Sequence, residues 1–192
     1  MIQVVFETHA TSNDNERGVA SGWNHSLLAA LGQEQARELG ARRGDDHIDV
    51  VFSSDLRRAV ETAGVAFEGS GIPVLLDWRL RECDYGRLNG SDHATHVADR
   101  AAHLDSPYPG GESWREAVTR VGRFLKDLPD RWDGQRVLVI GHVATRWALD
   151  HLLADVPLEE LAEETFEWQQ GWEYVLDPTR FRATPSAPRT SA

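Results

Sequence analysis

The chain has 192 residues, 41% hydrophobic and 27% charged, with a formal net charge of −11. That length suits one domain with one sizeable core, and the acidic balance excludes a broadly basic face for nucleic acid, because phosphate backbones are held by clustered Lys and Arg. No apolar run approaches the ~20 residues that span a bilayer, no basic segment leads into an apolar one as in a signal peptide, and the single cysteine, Cys83, permits neither an internal disulfide nor a thiolate zinc site, so the expected compartment is the reducing cytoplasm.

The first element is a buried strand over IQVVF, 2–6. A helix over 25–44 follows, with Leu28, Leu31, Gln35 and Leu39 on one face and Gly44 as its stop. DVVFSS (49–54) reads as a strand and SDLRRAVETAGVAF (54–67) as a helix opened by a Ser/Asp cap. PVLLDW (73–78) is a third strand, and 80–90, with Gly86 and Gly90, is a loop. A strongly amphipathic helix covers 111–128, with Trp114, Val118, Val121, Leu125 and Leu128 in one stripe. QRVLVIGH (135–142) is the clearest strand; helices follow over 144–154 and 157–166, then an edge strand over 172–176. Residues 1–182 are thus expected to form one domain, and the small, polar, Pro-containing stretch 183–192 a disordered tail.

Strands alternating with helices predict a three-layer α/β/α domain with a mainly parallel sheet. Ligands of such sheets sit beyond the carboxyl ends of the strands, which directs attention to His9, residues 53–58 and His142. Two strands end in a histidine followed by a small residue, in FETHATS and VIGHVAT. The small neighbours Ala10, Val143 and Ala144 leave room for a ligand beside each ring. Arg57 and Arg58 open a helix whose N-terminus already favours anions, so an arginine there suits a shared anion, although a solvated surface pair explains it too. Glu82, in a glycine-bounded loop, could serve as a general acid or lie exposed. His93, His96 and His103, with Asp92 and Asp99 nearby, form an alternative constellation that a helix would align for zinc or nickel.

Taken together these pieces resemble the histidine phosphatase superfamily, the phosphoglycerate mutase-like proteins. THATSNDNERGVASGW lies on the family's opening motif, with His9 at the nucleophile and Ser12, Asn15 and Gly22 at its further positions. SSDLRRAVETA resembles the family's phosphate-binding helix start and puts Arg58 on its arginine. LRECDYGRLNG places Glu82 on the acid, YPGGESW resembles the loop before the next helix, and VLVIGHVATRWAL places His142 on the second histidine. The resemblance covers about residues 2–155. The first motif departs from the pattern: Thr8 stands where the family has an arginine, Ala10 replaces its glycine, Thr11 its acidic or amide residue, and Val19 a further arginine.

The resemblance implies a phosphoglycerate mutase-like α/β fold and a phosphomonoester hydrolase acting through a phosphohistidine on a small phosphorylated metabolite, without metal or cofactor. His9 is the implied nucleophile, Arg58 and His142 the phosphate holders, and Glu82 the acid. Thr8, Ser12, Asn15, Gly22, Arg81 and Val143 are the implied substrate-binding residues. Arg17, Arg81 and Arg146 are candidates to make good the arginine that Thr8 lacks. Arg87, His93, Tyr108 and Trp114 are candidates to contact the leaving group. About twenty residues separate LNG from PYPGG, which favours hydrolysis over the mutase-type phosphotransfer of longer relatives. The degraded first motif keeps a second reading open, a protein that binds a phosphorylated ligand or partner without turning it over. Neither nucleic acid nor membrane is expected as a partner, and a homodimer is possible.

Overall fold

The computed structural model describes residues 1–164 and 168–181. In chain order the strands and helices are β1 (Ile2–Thr8), α1 (Asn13–Glu16), β2 (Val19–Ala20), α2 (Ala30–Arg43), β3 (Val50–Ser53), α3 (Arg57–Ala66), β4 (Val74–Leu76), β5 (Ser91–Asp92), α4 (His93–Asp99), α5 (Trp114–Asp127), α6 (Pro129–Trp132), β6 (Arg136–Gly141), α7 (Val143–Leu153), α8 (Leu158–Glu163), β7 (Trp172–Leu176) and α9 (Pro178–Phe181).

Five strands form one sheet in the order β4-β3-β6-β1-β7. The first four run parallel; β7 is the edge strand expected from its weak alternation, and it pairs antiparallel with β1. Alternate residues of each strand fill two cores. Val4, Phe6, Val50, Phe52, Val137 and Val139 pack with α5 and α7 on one face. Val5, Val51, Leu138 and Ile140 pack with α2 and α3 on the other. This is the mixed, mostly parallel α/β/α sandwich that the strand–helix alternation predicts. The α5 stripe is buried as expected, and its Ser113–Glu116 capping box starts the helix.

Several boundaries differ, each for a local reason. The helix expected over 25–44 begins only at Ala30, because Leu28 is bridged to Ser12 in extended form. Its buried face is Gly32, Ala36, Leu39 and Arg43, while Leu31 is exposed. Gly32 sets that rotation: a Cβ there would lie 2.0 Å from the Thr11 carbonyl oxygen, so α2 can lie against the 10–12 turn only through a glycine. The helix expected from position 54 begins at Arg57, with Leu56 as N-cap and no side-chain cap. The helix expected over 157–166 is seen as α8; positions 165 and 166 lie outside the described residues, as does the tail 183–192. The two-stranded ribbon of β2 and β5 was not foreseen.

Register explains where the chemistry converges. Thr8 lies opposite Gly141, and Ser53 opposite Ile140. The ladder runs one step further, with His9 N–H donating to Gly141 O (3.0 Å) and Ser54 N–H to Ile140 O (3.0 Å). His9, Ser54 and His142 therefore leave three adjacent strands at one edge of the sheet, as the carboxyl-end rule requires.

Candidate active site

A cavity of about 940 Å³ opens over these strand ends. Thr8, His9, Asn15, Gly22, Arg58, Glu82, His142 and Val143 all line it, so most of the residues singled out in the sequence are brought together.

Arg58 is the hub. Buried at the start of α3, it donates from Nε to His9 Nε2 (3.2 Å) and from one terminal nitrogen to His142 Nδ1 (3.3 Å) and the Gly22 carbonyl (2.9 Å). Gly22 fits by having no side chain: at φ +52° a Cβ would stand 1.8 Å from Asn89 Oδ1. Arg57, one position earlier on the helix, points outward to Glu61 (2.8 Å). A helix turns successive side chains apart, and only one of the pair faces the cavity.

Hydrogen bonding sets both histidine tautomers. His9 Nδ1 meets the Ala10 carbonyl at 2.8 Å, an oxygen that can only accept. The proton is therefore on Nδ1, and the Nε2 lone pair accepts from Arg58 Nε. His142 accepts from Arg58 on Nδ1, so its Nε2 donates to Ser54 Oγ (2.9 Å). The rings lie 4.9 Å apart. Burial, and then the Arg58 charge, lowers the His9 pKa to about 3 and pushes that of His142 well below the ordinary value. Both imidazoles are neutral at pH 7, the form a nucleophile needs.

Glu82 sits at the N-terminus of α7. Its Oε1 accepts from Ala144 N–H (3.0 Å) and Cys83 N–H (2.9 Å). Burial raises its pKa above the usual carboxylate range, against the opposing pull of these amides and Arg58. A carboxyl group biased toward its protonated form, lining the same cavity as the two neutral histidines, has the chemistry to donate a proton there.

Other expectations are placed elsewhere. Ser12 is buried outside the cavity lining, capping α1 with Asn15. Arg81 does not line the cavity; Asp55 holds it through two bonds of 2.7 and 2.6 Å, and it stacks over Trp23. Arg17 is paired with Asp14, and Arg146 with Asp150 at 3.0 Å, and neither lines the cavity. Nearer carboxylates have captured all three arginines suggested as substitutes. Arg87 and Tyr108 are also outside the lining; His93 and Trp114 lie within it, Trp114 as a core residue.

The alternative metal constellation does not form. Among the described residues no group of three or more His, Cys, Asp or Glu side chains could hold a metal ion. His96 is buried against Tyr85, with ring centroids 3.7 Å apart, while His103 stacks on Tyr108 and bonds to Asp99. Aromatic packing, not ligation, arranges these rings.

Sequence reasoning missed the supports. Thr62 Oγ1 accepts from Ala10 N–H (3.0 Å), and Gln35 Oε1 from Thr11 N–H (2.9 Å). Glu7, buried next to Thr8, is held by Arg43 Nε (2.8 Å) and Arg42 (3.1 Å). Thr62 had one usable signal, its place one helical turn after Arg58.

The pattern describing the histidine phosphatase superfamily (branch 1) matches residues 4–181. A 2,3-bisphosphoglycerate-dependent phosphoglycerate mutase of Allorhizobium ampelinum is 33% identical over 154 residues, covering 72% of this chain and 73% of its own. The solved structure of Bacillus stearothermophilus YhfR superposes with a TM-score of 0.82 at 26% identity, covering 92% of each chain. A mycobacterial glucosyl-3-phosphoglycerate phosphatase, solved with VO3, superposes with a TM-score of 0.75 at 26% identity, covering 83% of this chain and 85% of its own.

Proposed function

The chain belongs to the histidine phosphatase superfamily, and from that premise we propose that it hydrolyses phosphomonoesters of a small metabolite through a phosphohistidine on His9. The observation that carries this reading is the tautomer of His9: Nδ1 is committed to the Ala10 carbonyl, and the Nε2 lone pair faces the cavity beside Arg58.

In this reading Nε2 attacks phosphorus, forming an N–P bond as the P–O bond to the leaving group breaks. Glu82 gives its proton to the departing oxygen. Water then attacks the phosphohistidine, Glu82 takes up the proton, and the N–P bond breaks to release phosphate. Arg58 and the helix α7 end hold the oxygens over which charge spreads, with His142 contributing a neutral ring fixed by Ser54. The relatives bear both kinds of name, phosphatase and phosphoglycerate mutase.

One observation favours a second reading. Thr8 lines the cavity, and none of Arg17, Arg81 or Arg146 lies there with it. A site short of one cation could hold a phosphorylated ligand without turning it over. Phosphate release from p-nitrophenyl phosphate, sugar phosphates and nucleotides, measured without added metal, separates the two. Release abolished in His9→Ala supports hydrolysis. Vanadate binding with no release from any ester supports the binding protein. Release unchanged in His9→Ala removes His9 as nucleophile.

A further inference from the structure

Beyond the phosphate end the cavity is acidic. Among the described residues three arginines line it, and each already has a place. Arg58 bridges the two histidines. Arg42 is paired with Glu7 at 3.1 Å. Arg100 donates from Nε to the Ala162 carbonyl (2.7 Å) and from a terminal nitrogen to the Glu164 carbonyl. Against these stand four exposed carboxylates, Glu34 and Glu38 on α2 and Glu163 and Glu164 at the end of α8. Among the described residues Glu34, Glu38 and Glu163 have no ion pair, and Glu164 reaches Arg146 at 3.5 Å. The four are not grouped to hold a metal ion.

These carboxylates belong to shaped walls. Leu31, Glu34, Gln35, Glu38 and Arg42 recur three or four residues apart, so one face of α2 borders the cavity. Trp168, 61% exposed, lines the same space, and an aromatic face attracts cations. His93, His96, Val97 and Arg100, at the same helical spacing, form another wall. His96 is 6% exposed, and neither ring nitrogen has a partner among the described residues. Burial lowers its pKa to about 4, so near pH 7 the ring is neutral and one nitrogen can accept a hydrogen bond. The volume of about 940 Å³ is near the upper end of the ~300–1,000 Å³ usual for ligand sites, far more than a phosphate fills.

We propose that the ligand is a phosphomonoester whose alcohol carries an ammonium group and no second anion, with the phosphate at Arg58 and the ammonium among Glu34, Glu38, Glu163 and Glu164. A cleft lined by one sign of charge focuses that potential, in a chain whose net charge is already −11. A carboxylate or second phosphate on the alcohol would meet like charge there and find no uncommitted arginine. An ammonium finds carboxylates, an aromatic face and the His96 acceptor. The hydrolysis of such an ester rests on the phosphatase reading; the preference for its charge does not.

O-phosphoethanolamine, glycerol 3-phosphate and 3-phosphoglycerate, whose leaving groups are cationic, neutral and anionic, test this. Wild-type kcat/KM should follow that order, the first exceeding the last by about tenfold or more at low salt. The gap should narrow in about 0.5 M NaCl, because exposed charges are then screened. Glu38→Lys and Glu163→Lys should each shrink the ratio by about tenfold. Glu68→Lys makes the same charge change at an exposed position outside the lining and should leave the ratio as it is. Circular dichroism establishes that each variant is folded. Calorimetric binding of the three esters to His9→Ala separates the two readings. The same order of affinity with no wild-type hydrolysis keeps the ligand class and removes the phosphatase. Hydrolysis that favours 3-phosphoglycerate, or a ratio that neither lining variant moves, keeps the phosphatase and overturns the ammonium. Where no ester is hydrolysed, equal binding of the three, or none, overturns the proposal.

Discussion

Arg58 Nε lies 3.2 Å from His9 Nε2, and the same guanidinium reaches His142 Nδ1 at 3.3 Å. One planar group thus addresses both histidines that end strands 1 and 6, from a helix that starts at the end of strand 3. The fork holds the two rings in place and can offer charge-assisted donors to an anion that takes over a ring contact.

Arg58→Lys should therefore be severe. A single ammonium keeps the charge but cannot bridge two rings and the Gly22 carbonyl. We expect kcat for p-nitrophenyl phosphate to fall by roughly a hundredfold to a thousandfold, the effect of losing one preorganised donor to a transition-state charge. A loss under tenfold would remove Arg58 from the hub.

Glu82→Gln should discriminate among leaving groups. An alkyl alkoxide needs a proton as it departs, and a nitrophenolate does not. Turnover of glycerol phosphate should drop by about a hundredfold or more while p-nitrophenyl phosphate loses far less. In the wild type, activity on alkyl esters should fall as pH rises through the raised Glu82 pKa, because the donor is then ionised. Equal losses on both esters would make Glu82 a structural cap of α7 and not the acid.

His96 is buried, and neither of its ring nitrogens has a hydrogen-bond partner among the described residues. Leaving a buried polar group unpaired costs about 1–3 kcal/mol. His96→Phe keeps the contact with Tyr85 and removes that cost, so it should raise Tm by roughly 2–4 °C, as about 1 kcal/mol does in a chain of this size. A lower Tm would mean that the imidazole has a partner in solution.

The buried histidines also set the acid limit of stability. Burial lowers the His9 pKa to about 3 and that of His96 to about 4, and His142 moves the same way. Each unfolded histidine takes its proton near pH 6.5. Between 6.5 and about 4 the unfolded chain therefore binds more protons than the folded one, and stability falls as pH falls. Each group adds a slope approaching about 1.4 kcal/mol per pH unit. Urea midpoints at pH 7.5, 6 and 5 should decline, and less steeply in His96→Phe. A flat profile would show that these rings are protonated in the folded protein.

The sequence carried the site's centre because a parallel sheet delivers strand ends to one place. His9 and His142 are legible as residues that terminate apolar runs, and Arg58 as the start of the helix after a third. The α5 stripe was legible because its periodicity is strong. The rest depended on contacts between distant segments. Ser54 meets His142 across 88 residues, and Thr62 meets Ala10 across 52. No local pattern marks such partners. The face of α2 was misread because periodicity ranks Leu31 above Gly32, whereas the close approach of Thr11 demands the glycine. Arg81 is a candidate ligand in sequence because it lies in a segment that matches the family, yet the fold sets Asp55 beside it.

The departure at Thr8 gives the sharpest test of the cavity. Thr8 lines it at the end of β1, one residue before His9. Its neighbour Glu7 already has Arg42 and Arg43, so a new arginine at position 8 would meet no unpaired carboxylate from that side. A threonine hydroxyl can bond an equatorial oxygen but brings no charge. Thr8→Arg should therefore tighten inhibition by vanadate by roughly tenfold or more and raise kcat on p-nitrophenyl phosphate, since a guanidinium stabilises the same oxygens in the transition state. Tighter vanadate with unchanged kcat would mean that the added charge serves binding alone. No change in either would mean that the phosphate site already has the charge it uses, and that the threonine belongs to the recognition of the rest of the substrate.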